Sequence, residues 1–380
     1  MAQVKDFGLG PDEIMVRDTA RSFLAEHAAV ETLRRLVARD HHEAYESTVQ
    51  PALWDEGLWG KMVELGWPGL GVPEAAGGVG MKTIAVALLA EEVGRVALPS
   101  PLTTTLIATT VLKAADAAKW LGRVAEGTPA SLATMSEAGS LRWEDAGVTA
   151  THAGKDVTLR GAASFVQDAR KVGFFLVAAG GREGLGLYAV PRDAPGLEIR
   201  PDQIVDLTHD QATLVLDGVS VPADAVVAAP GRGAAALDAA LPTILTIVAA
   251  DLCGAAEWQL QTTAEYARVR SQFGRQIGFF QAVKHPIVNM MCAVDRARSL
   301  TYAAAAAVDH EPKDALRLAR MAKAAASDTA AYCADRSVQL HGGIGFTWEC
   351  DVHLYFKRQK HHQLLWGDGA YHRARLAETL

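Results

Sequence analysis

The sequence predicts an α+β protein that is mostly α-helical, with a small β domain between two helical regions. Apolar residues recur at helical spacing from about residue 11 to residue 113, and again from about residue 234 onward. Between these regions lie short β-prone segments that are separated by Gly, Asp and Pro turns. Because 380 residues exceed a single comfortable core, we expect three domains. They are an N-terminal helical domain at 1–126, a central β barrel or sandwich at 127–232, and a C-terminal four-helix bundle at 233–380.

The N-terminal domain is predicted to contain four helices. Asp12 can cap the first helix, and Gly66 ends the second helix, which carries Trp54 and Trp59. The segment GWPGLGVPEAAGGVG at 66–80 is full of turn-forming residues and predicts a long loop. Two apolar helices are expected after this loop, at 83–96 and 102–112.

The central domain is predicted to contain short strands joined by turns. These strands are expected at 130–137, 148–152, 157–160, 174–179, 185–190 and 212–221. Gly154, Lys155 and Asp156 lie between two of them and predict a hairpin turn. In the C-terminal domain, long helices are expected at 235–269, 280–309, 313–341 and 348–365.

Composition and charge limit the possible function classes. The net charge of −7 and the lack of a basic run argue against a nucleic-acid partner. No uncharged apolar run reaches about eighteen residues, and the N-terminus lacks a signal-peptide pattern, so we expect a cytoplasmic protein without a membrane span. The scattered cysteines predict reduced, mostly buried thiols and no metal site: Cys253, Cys292, Cys333 and Cys350.

The segment from Arg270 to His285, RSQFGRQIGFFQAVKH, is the strongest candidate for ligand binding. A guanidinium at Arg270 can form a bidentate contact with phosphate, and the Phe273 ring can stack on a heterocycle. Gln281 adds an amide that both donates and accepts hydrogen bonds. These residue types suit a large anionic, aromatic ligand. The alternative is a helical hairpin with a plain turn at Phe273-Gly274.

Four motifs, in order along the chain, resemble those of the acyl-CoA dehydrogenase family of flavoproteins. The loop at 66–80 and the segment LDGVSVP at 216–222 are similar to the family's early loop and to its last β strand. Arg270 to Gln281 resembles the RxxFG…FQ segment, and QLHGGIGF at 339–346 resembles the QxxGGxGF turn. The resemblance covers the whole chain and implies the three-domain fold predicted above.

The resemblance implies an FAD cofactor that is held between two subunits. Arg270 would contact the pyrophosphate, Phe273 would pack on the cofactor, and Gln281 would contact the adenine end. The turn formed by Gln339, Gly342 and Gly343 would bring backbone amides close to the phosphates and ribose. In this family these groups bind the flavin of the neighbouring subunit, so a dimer or a tetramer is expected.

The β domain departs from the family pattern at the flavin. Where the family has a Thr-Glu pair, this chain has Met135-Ser136, and where the family has Trp-Ile-Thr it has Phe165-Val166-Gln167. Ser136 keeps a hydroxyl for the polar edge of the flavin, and Phe165 keeps an aromatic face. The alternative for Phe165 is an ordinary core residue.

The implied reaction is the α,β-dehydrogenation of an acyl-CoA thioester to a trans-2-enoyl-CoA. A carboxylate would remove the α-proton while the β-hydrogen leaves as hydride to FAD. The first candidate for this base is Asp368, which is followed by a glycine as in the family. Asp251 is the alternative base, and it can equally be a buried or capping carboxylate. The implied electron acceptor is an electron-transfer flavoprotein.

Two further functions remain open, because the flavin motif is altered and an aspartate replaces the usual glutamate. The chain could be a non-catalytic partner in a heterotetramer of two unlike subunits, as in some actinobacterial members that act on steroid side chains. It could also be a flavin oxidase that resembles nitroalkane oxidases, which use an aspartate base. Adjacent His361 and His362 point to different faces of a helix and are expected on a solvated basic face.

Overall fold

The computed structural model of the protein describes residues 7, 9–37, 52–153 and 156–379. Gly154 and Lys155 of the predicted hairpin turn lie outside the described residues. The helices of the N-terminal region are α1 Pro11–His27, α2 Val30–Val37, α3 Glu56–Glu64, α4 Thr83–Arg95, α5 Leu102–Ala114 and α6 Ala118–Ala125. The predicted loop at 66–80 is confirmed, with one short 3₁₀ turn at Glu74–Ala76.

The caps of these helices differ in part from the prediction. The prediction that Asp12 caps α1 is wrong, because the helix begins at Pro11 and Glu13 instead accepts a hydrogen bond from the backbone of Gly10 at 2.9 Å. Helix α3 has a side-chain cap, since Oδ1 of Asp55 accepts from the backbone of Leu58 at 2.9 Å.

The central region forms one mostly antiparallel sheet. Its strands are β1 Ala130–Ala133, β2 Val148–Ala153, β3 Asp156–Gln167, β4 Phe174–Gly181, β5 Gly184–Pro191, β6 Leu197–Pro201, β7 Gln211–Val221 and β8 Val226–Ala228. The order across the sheet is β6-β7-β3-β2-β4-β5-β8, and β1 pairs in parallel with β4. Because β1 is the first strand of the central region and β8 is the last, both ends of this region belong to the same sheet.

Four strands differ from the prediction: β6 and β8 were not predicted, β3 is longer than expected, and β1 ends at Ala133 rather than at residue 137. Strand β6 was not predicted, because this edge strand exposes Glu198 and Arg200 and ends in Pro201. Strand β3 continues beyond the predicted end at Arg160. The next residue, Gly161, adopts a φ of +129° beside an irregularity in the pairing with β7, and the strand continues past it.

The C-terminal region consists of α7 Gly233–Val269, α8 Gln281–His310, α9 Pro312–His341, α10 Val352–His362 and α11 Gly369–Ala377. A short hairpin of β9 Ser271–Gln272 and β10 Arg275–Gln276 joins α7 to α8. The last predicted helix, at 348–365, is shorter than expected because Trp366 and Gly367 adopt φ values of +60° and +94° and turn the chain into α11.

Helix α7 is long and apolar enough to cross a membrane by composition alone. However, 78% of its most apolar window is buried inside the fold, as expected for a core helix. Gly94 of α4 lies against the carbonyl of Asp251 in α7, and Gly254 of α7 lies against the carbonyl of Glu91 in α4. These close contacts join the two helical regions, and one apolar core extends through all three parts of the chain.

Candidate functional site

Five of the predicted ligand-binding residues are exposed at or just beyond the ends of long helices. Arg270 and Phe273 follow α7, Gln281 begins α8, and Gly342 and Gly343 follow α9. We call these five residues the helix-end surface. Gln339, in the last turn of α9, is also exposed. A Cβ added at Gly342 or Gly343 would meet no atom within 4 Å, so the backbone here is open to a ligand.

The ends of α7 and α9 are held together by Tyr266. Its ring stacks on His341 with centroids 4.3 Å apart, and its hydroxyl donates to the carbonyl of His341 at 3.3 Å. Its own carbonyl accepts from the backbone of Arg270 at 2.9 Å. Arg270 and Gly342 are therefore fixed relative to each other, although they lie about seventy residues apart in the chain.

Phe273 is the most exposed large apolar residue that the structure describes, with 90% of its surface accessible. It lies in the turn between β9 and β10 with a φ of +54°, a strained conformation for a residue with a side chain. Its ring meets Phe280 edge to face at 6.1 Å and has little other cover. Strained backbone conformations of this kind cluster at ligand-contacting sites, so the ring is a candidate contact for another molecule.

A pocket lies between α5, β1, β3 and the turn after α10. Met135, Phe165 and Gln167 are brought together here, whereas Ser136 is not among the lining residues. Residues with hydroxyl groups line the pocket together with Leu365 and Trp366. The hydroxyl-bearing residues are Thr103, Thr104, Ser131, Thr134 and Ser164.

Phe165 and Gln167 end β3 at the pocket. Phe165 has a φ of +59° and is 38% exposed, so the alternative that it is an ordinary core residue is wrong. The Gln167 amide nitrogen donates to Oε1 of Gln211 at 2.8 Å and to the carbonyl of Phe165 at 3.0 Å. Its amide oxygen lies 2.9 Å from Nε2 of His361. Both polar ends of Gln167 therefore already have protein partners.

Asp251 is fully buried in α7 and does not line the pocket. Its Oδ2 accepts from Arg358 at 2.7 Å and from the Thr103 hydroxyl at 3.3 Å, while its Oδ1 lies 2.9 Å from Nδ1 of His362. Burial favours the protonated acid, but the charges of Arg358 and His362 outweigh it and hold the pKa of Asp251 below its usual range. This environment agrees with the alternative of a buried structural carboxylate.

Two histidines that were not predicted as site residues also line the pocket, His209 and His362. Their rings lie 4.9 Å apart, and Nδ1 of His209 lies 2.6 Å from Oδ2 of Asp206. Burial lowers the pKa of His209 to about 3 and that of His361 to about 4, so both are neutral at pH 7.

The prediction that His361 and His362 form a solvated basic face is wrong, since His362 is buried against Asp251. One signal in the sequence points to such a partner. Asp251 lies within an apolar helix, and a buried carboxylate requires a cation or a hydrogen-bond donor.

Asp368 is the N-cap of α11, where its Oδ1 accepts from the backbone of Tyr371 at 2.8 Å. It is half-buried and is not among the residues that line the pocket. The carboxylate that does line the pocket is Asp168, which is paired with buried Lys171 at 2.8 Å. Burial raises the pKa of Asp168 against the opposing charge of Lys171.

The two helical regions, the sheet between them and the exposed glycine turn after α9 are the features that the resemblance to flavin-dependent acyl-CoA dehydrogenases predicts. The family model for the acyl-CoA dehydrogenase N-terminal domain matches residues 10–128, and that for the C-terminal domain matches residues 231–380. The acyl-CoA dehydrogenase IpdE2 of Mycobacterium tuberculosis is 30% identical to this chain, over 90% of this chain and 89% of the relative. The chain belongs to the acyl-CoA dehydrogenase family, as predicted.

Two solved structures extend this similarity to three dimensions. A variant of the Tcur3481-Tcur3483 steroid ACAD is 29% identical, with a TM-score of 0.83 and coverage of 97% of both chains. A chain of the structure described as the electron transferring flavoprotein of Acidaminococcus fermentans is 26% identical, with a TM-score of 0.87 and coverage of 98% of this chain and 99% of that chain. The predicted fold class is confirmed.

Acyl-CoA dehydrogenases are FAD-dependent flavoproteins, and this confirms FAD as the predicted cofactor. The residues of this chain fit the two ends of FAD differently. The helix-end surface fits the diphosphate and ribose, because two glycines leave the backbone open beside an exposed guanidinium. The pocket offers Met135 and the exposed ring of Phe165, but both N–H groups of the Gln167 amide already donate to protein acceptors.

Proposed function

We propose that the chain is a subunit of an FAD-dependent enzyme that converts an acyl-CoA thioester to a trans-2-enoyl-CoA. The observation that carries the proposal is the helix-end surface, whose exposed arginine, aromatic ring and open glycine turn lie on a chain of this family. When bound, FAD would supply the two-electron acceptor that dehydrogenation needs. The proposed acceptor of the reduced assembly is an electron-transfer flavoprotein.

The helix-end surface would bind the ADP half of FAD. The Arg270 guanidinium would neutralise the pyrophosphate, while backbone amides at Gly342 and Gly343 approach its oxygens. Phe273 would lie against the cofactor, and Gln281 would hydrogen-bond at the adenine end. Because Phe273 is nine-tenths exposed within its own chain, we assign this surface to the FAD of a neighbouring subunit.

Residues Met135, Ser136, Phe165 and Gln167 are proposed to flank the flavin ring of the same chain. Phe165 presents an exposed aromatic face, held at the end of β3. Gln167 could donate to a flavin only by giving up its bond to Gln211 or to the carbonyl of Phe165. The protein therefore supplies shape and stacking here more readily than new hydrogen bonds.

Flavin content tests the binding of FAD. The variant Phe273→Ala is expected to lower the FAD retained per chain at least tenfold, because the ring that covers the cofactor is lost. Met15→Ala is the matched control, since Met15 is also an exposed apolar residue but lies on α1. If both variants retain as much FAD as the unaltered protein, the helix-end surface does not bind the cofactor.

Asp368 remains the proposed base, with Asp251 as the alternative. Asp368→Asn keeps an N-cap acceptor for α11 but removes the base, so it separates catalysis from folding. Reduction of the flavin by an acyl-CoA is expected to slow by about 100-fold or more if this carboxylate removes the α-proton. An unchanged rate of reduction in Asp368→Asn would contradict this assignment and leave Asp251 as the candidate base.

A second candidate function is that of a non-catalytic subunit in a mixed assembly. It is favoured by two observations: neither Asp368 nor Asp251 lines the pocket, and both ends of Gln167 are occupied by protein partners. The similar steroid ACAD carries two names, Tcur3481 and Tcur3483. A purified chain that holds FAD alone and is reduced by an acyl-CoA would exclude this function.

A further inference from the structure

The turn from Gln363 to Gly367 forms part of the pocket wall. It connects α10 to α11, and it carries Leu365 and Trp366, which both line the pocket. Trp366 has a φ of +60°, in the left-handed region that a bulky residue rarely adopts. Contacts from outside the turn are therefore needed to hold it.

Lys323 supplies two of these contacts from α9. Its side chain is fully buried, and its ammonium group donates to the carbonyl of Gly367 at 2.6 Å and to that of Gln363 at 2.9 Å. A third bond joins Nζ to Oγ of Ser327 at 2.7 Å. One lysine thus bridges both ends of the turn, and each of its three protons has an acceptor.

His372 holds the middle of the same turn from α11. Its Nε2 lies 2.9 Å from the carbonyl of Trp366, a distance at which a protonated Nε2 donates. Burial lowers the pKa of His372 to about 4, so the ring is neutral at pH 7. Its Nδ1 has no hydrogen-bond partner among the described residues, which favours the tautomer with the proton on Nε2.

We propose that Lys323 and His372 are positioning residues that fix Trp366 as a wall of the pocket, and that Ser327 lets Lys323 hold the turn in either protonation state. The charged amine donates to Ser327 and to both carbonyls, while the serine hydroxyl donates to the carbonyl of Gln363 at 3.1 Å. The neutral amine keeps its two bonds to the carbonyls and accepts from the serine hydroxyl, which has only to rotate.

Both protonation states are relevant near neutral pH. Burial lowers the pKa of Lys323 to about 7, against the opposing charges of Asp368 and Asp328. The charge of Lys323 acts on His372 of α11, as does that of Arg320 of α9, and Arg373 of α11 forms an ion pair with Asp328. A lysine that lost its hold on deprotonation would make the pocket wall depend on pH in this range. The two carbonyl bonds that the neutral amine keeps, with the serine hydroxyl satisfying its lone pair, remove that dependence.

Fluorine NMR of protein labelled with 5-fluorotryptophan tests the proposal, with the Trp366 signal assigned by Trp366→Phe. The Trp366 signal of the unaltered protein should not shift between about pH 6 and pH 8.5, although Lys323 titrates in this range. The ¹³C signal of Lys323, labelled at Cε and assigned with Lys323→Arg, should give the midpoint of the Lys323 titration. Ser327→Ala should lower that midpoint, because the charged amine loses an acceptor.

Loss of the contacts made by Lys323 or by His372 should shift the Trp366 signal. Lys323→Met and His372→Leu are expected to shift or broaden it, whereas His372→Gln, which can still donate to the Trp366 carbonyl, should restore it towards its original position. The proposal is overturned if His372→Leu leaves the signal unchanged, or if the unaltered signal follows the titration of Lys323. If Lys323→Met does not fold, the comparison of His372→Leu with His372→Gln and the pH titration of the unaltered protein still test the proposal. No FAD or acyl-CoA is needed, so the result is independent of the proposed function.

Discussion

Arg358 is a single side chain that connects the helical bundle to the β domain. It is 1% exposed, and it donates to Asp251 of α7 at 2.7 Å and to the Thr208 hydroxyl of the β domain at 3.0 Å. Removing it would leave Asp251 as a buried charge without its main partner. Such a loss typically costs far more than the ion pair itself contributes.

Arg358→Met is therefore expected to lower the free energy of unfolding by about 3–5 kcal/mol, as measured by urea denaturation. Arg160→Ala is the control, because the pair of Arg160 with Asp217 is exposed and should contribute no more than about 1 kcal/mol. The double variant Asp251→Leu with Arg358→Met should recover part of the loss. Equal effects of Arg358→Met and Arg160→Ala would contradict this role.

A single residue, His361, makes the stability of the folded protein depend on pH. Burial lowers its pKa to about 4, so between that value and about 6.5 the unfolded chain binds the proton more tightly than the folded chain. Stability should therefore fall as the pH falls through this window, by about 1.4 kcal/mol per pH unit for this histidine. In His361→Gln the slope of unfolding free energy against pH between 6 and 5 should be smaller by about that amount.

Comparison of the two proteins at pH 7.5 isolates the packing effect of the glutamine, since His361 is neutral there in both the folded and the unfolded state. A slope that is equal in the two proteins would show that His361 does not lose its affinity for protons on folding.

The exposure of single residues was predictable where their type alone suits a ligand. Arg270, Phe273 and the glycines at 342 and 343 are exposed, as a cofactor-binding surface requires. His209 and His362 could not be selected from the sequence, because their roles depend on Asp206 and Asp251, which tertiary packing brings to them. The same limit applies to Lys323, because two of its three acceptors are carbonyls of a turn that lies about forty residues later in the chain.

At the scale of elements, the crossing of α4 and α7 has the least room for change. A Cβ on Gly254 would lie 1.8 Å from the carbonyl of Glu91, and a Cβ on Gly94 would lie 2.0 Å from that of Asp251. The two backbones can approach this closely because glycines from both helices lie at the contact. Since the obstacles are backbone atoms, a side chain cannot rotate to relieve the clash.

Gly254→Ala is expected to destabilise the protein by about 3 kcal/mol or more, since the helices must separate. Gly60→Ala on α3 is the matched control, because a Cβ there meets no atom within 4 Å and the substitution should stabilise by up to about 1 kcal/mol. Thermal unfolding followed by circular dichroism measures both. Similar melting temperatures for the two variants would show that the crossing tolerates a methyl group.

The long helices were predictable because an apolar period of 3.6 residues persists over many turns. Short elements were harder to predict. Strand β6 and the small helices α2 and α6 each offer few residues over which a period can be recognised. The end of α10 at His362 was missed because Gln363, Leu364 and Leu365 continue a helical pattern, and the left-handed Trp366 that follows is stabilised by contacts from other helices.

At the scale of the whole molecule, exposed apolar side chains gather near the helix-end surface. Phe273, Phe279, Ile344 and Phe346 lie in the hairpin and turns that follow α7 and α9. Apolar groups clustered in this way usually mark a contact with another chain. We therefore expect the protein in solution to contain at least two chains.

Phe346→Glu should shift the assembly towards smaller species in sedimentation equilibrium, because a charge would be buried at the contact. Met15→Glu is the control. Met15 is also an exposed apolar residue but lies on α1, so its replacement should leave the assembly unaltered. A monomer in the unaltered protein, or the same assembly in both variants, would contradict an interface at this surface.

The position of β1 and β8 in one sheet has a consequence for how the polypeptide could be divided. Arg182 and Glu183 are exposed between β4 and β5, and a cut there would separate the first four strands from the last four. The two pieces would still share the pairings of β3 with β7 and of β4 with β5, as well as the contact of α4 with α7. We therefore expect two fragments made at this hairpin to recognise each other and to complement into one native fold.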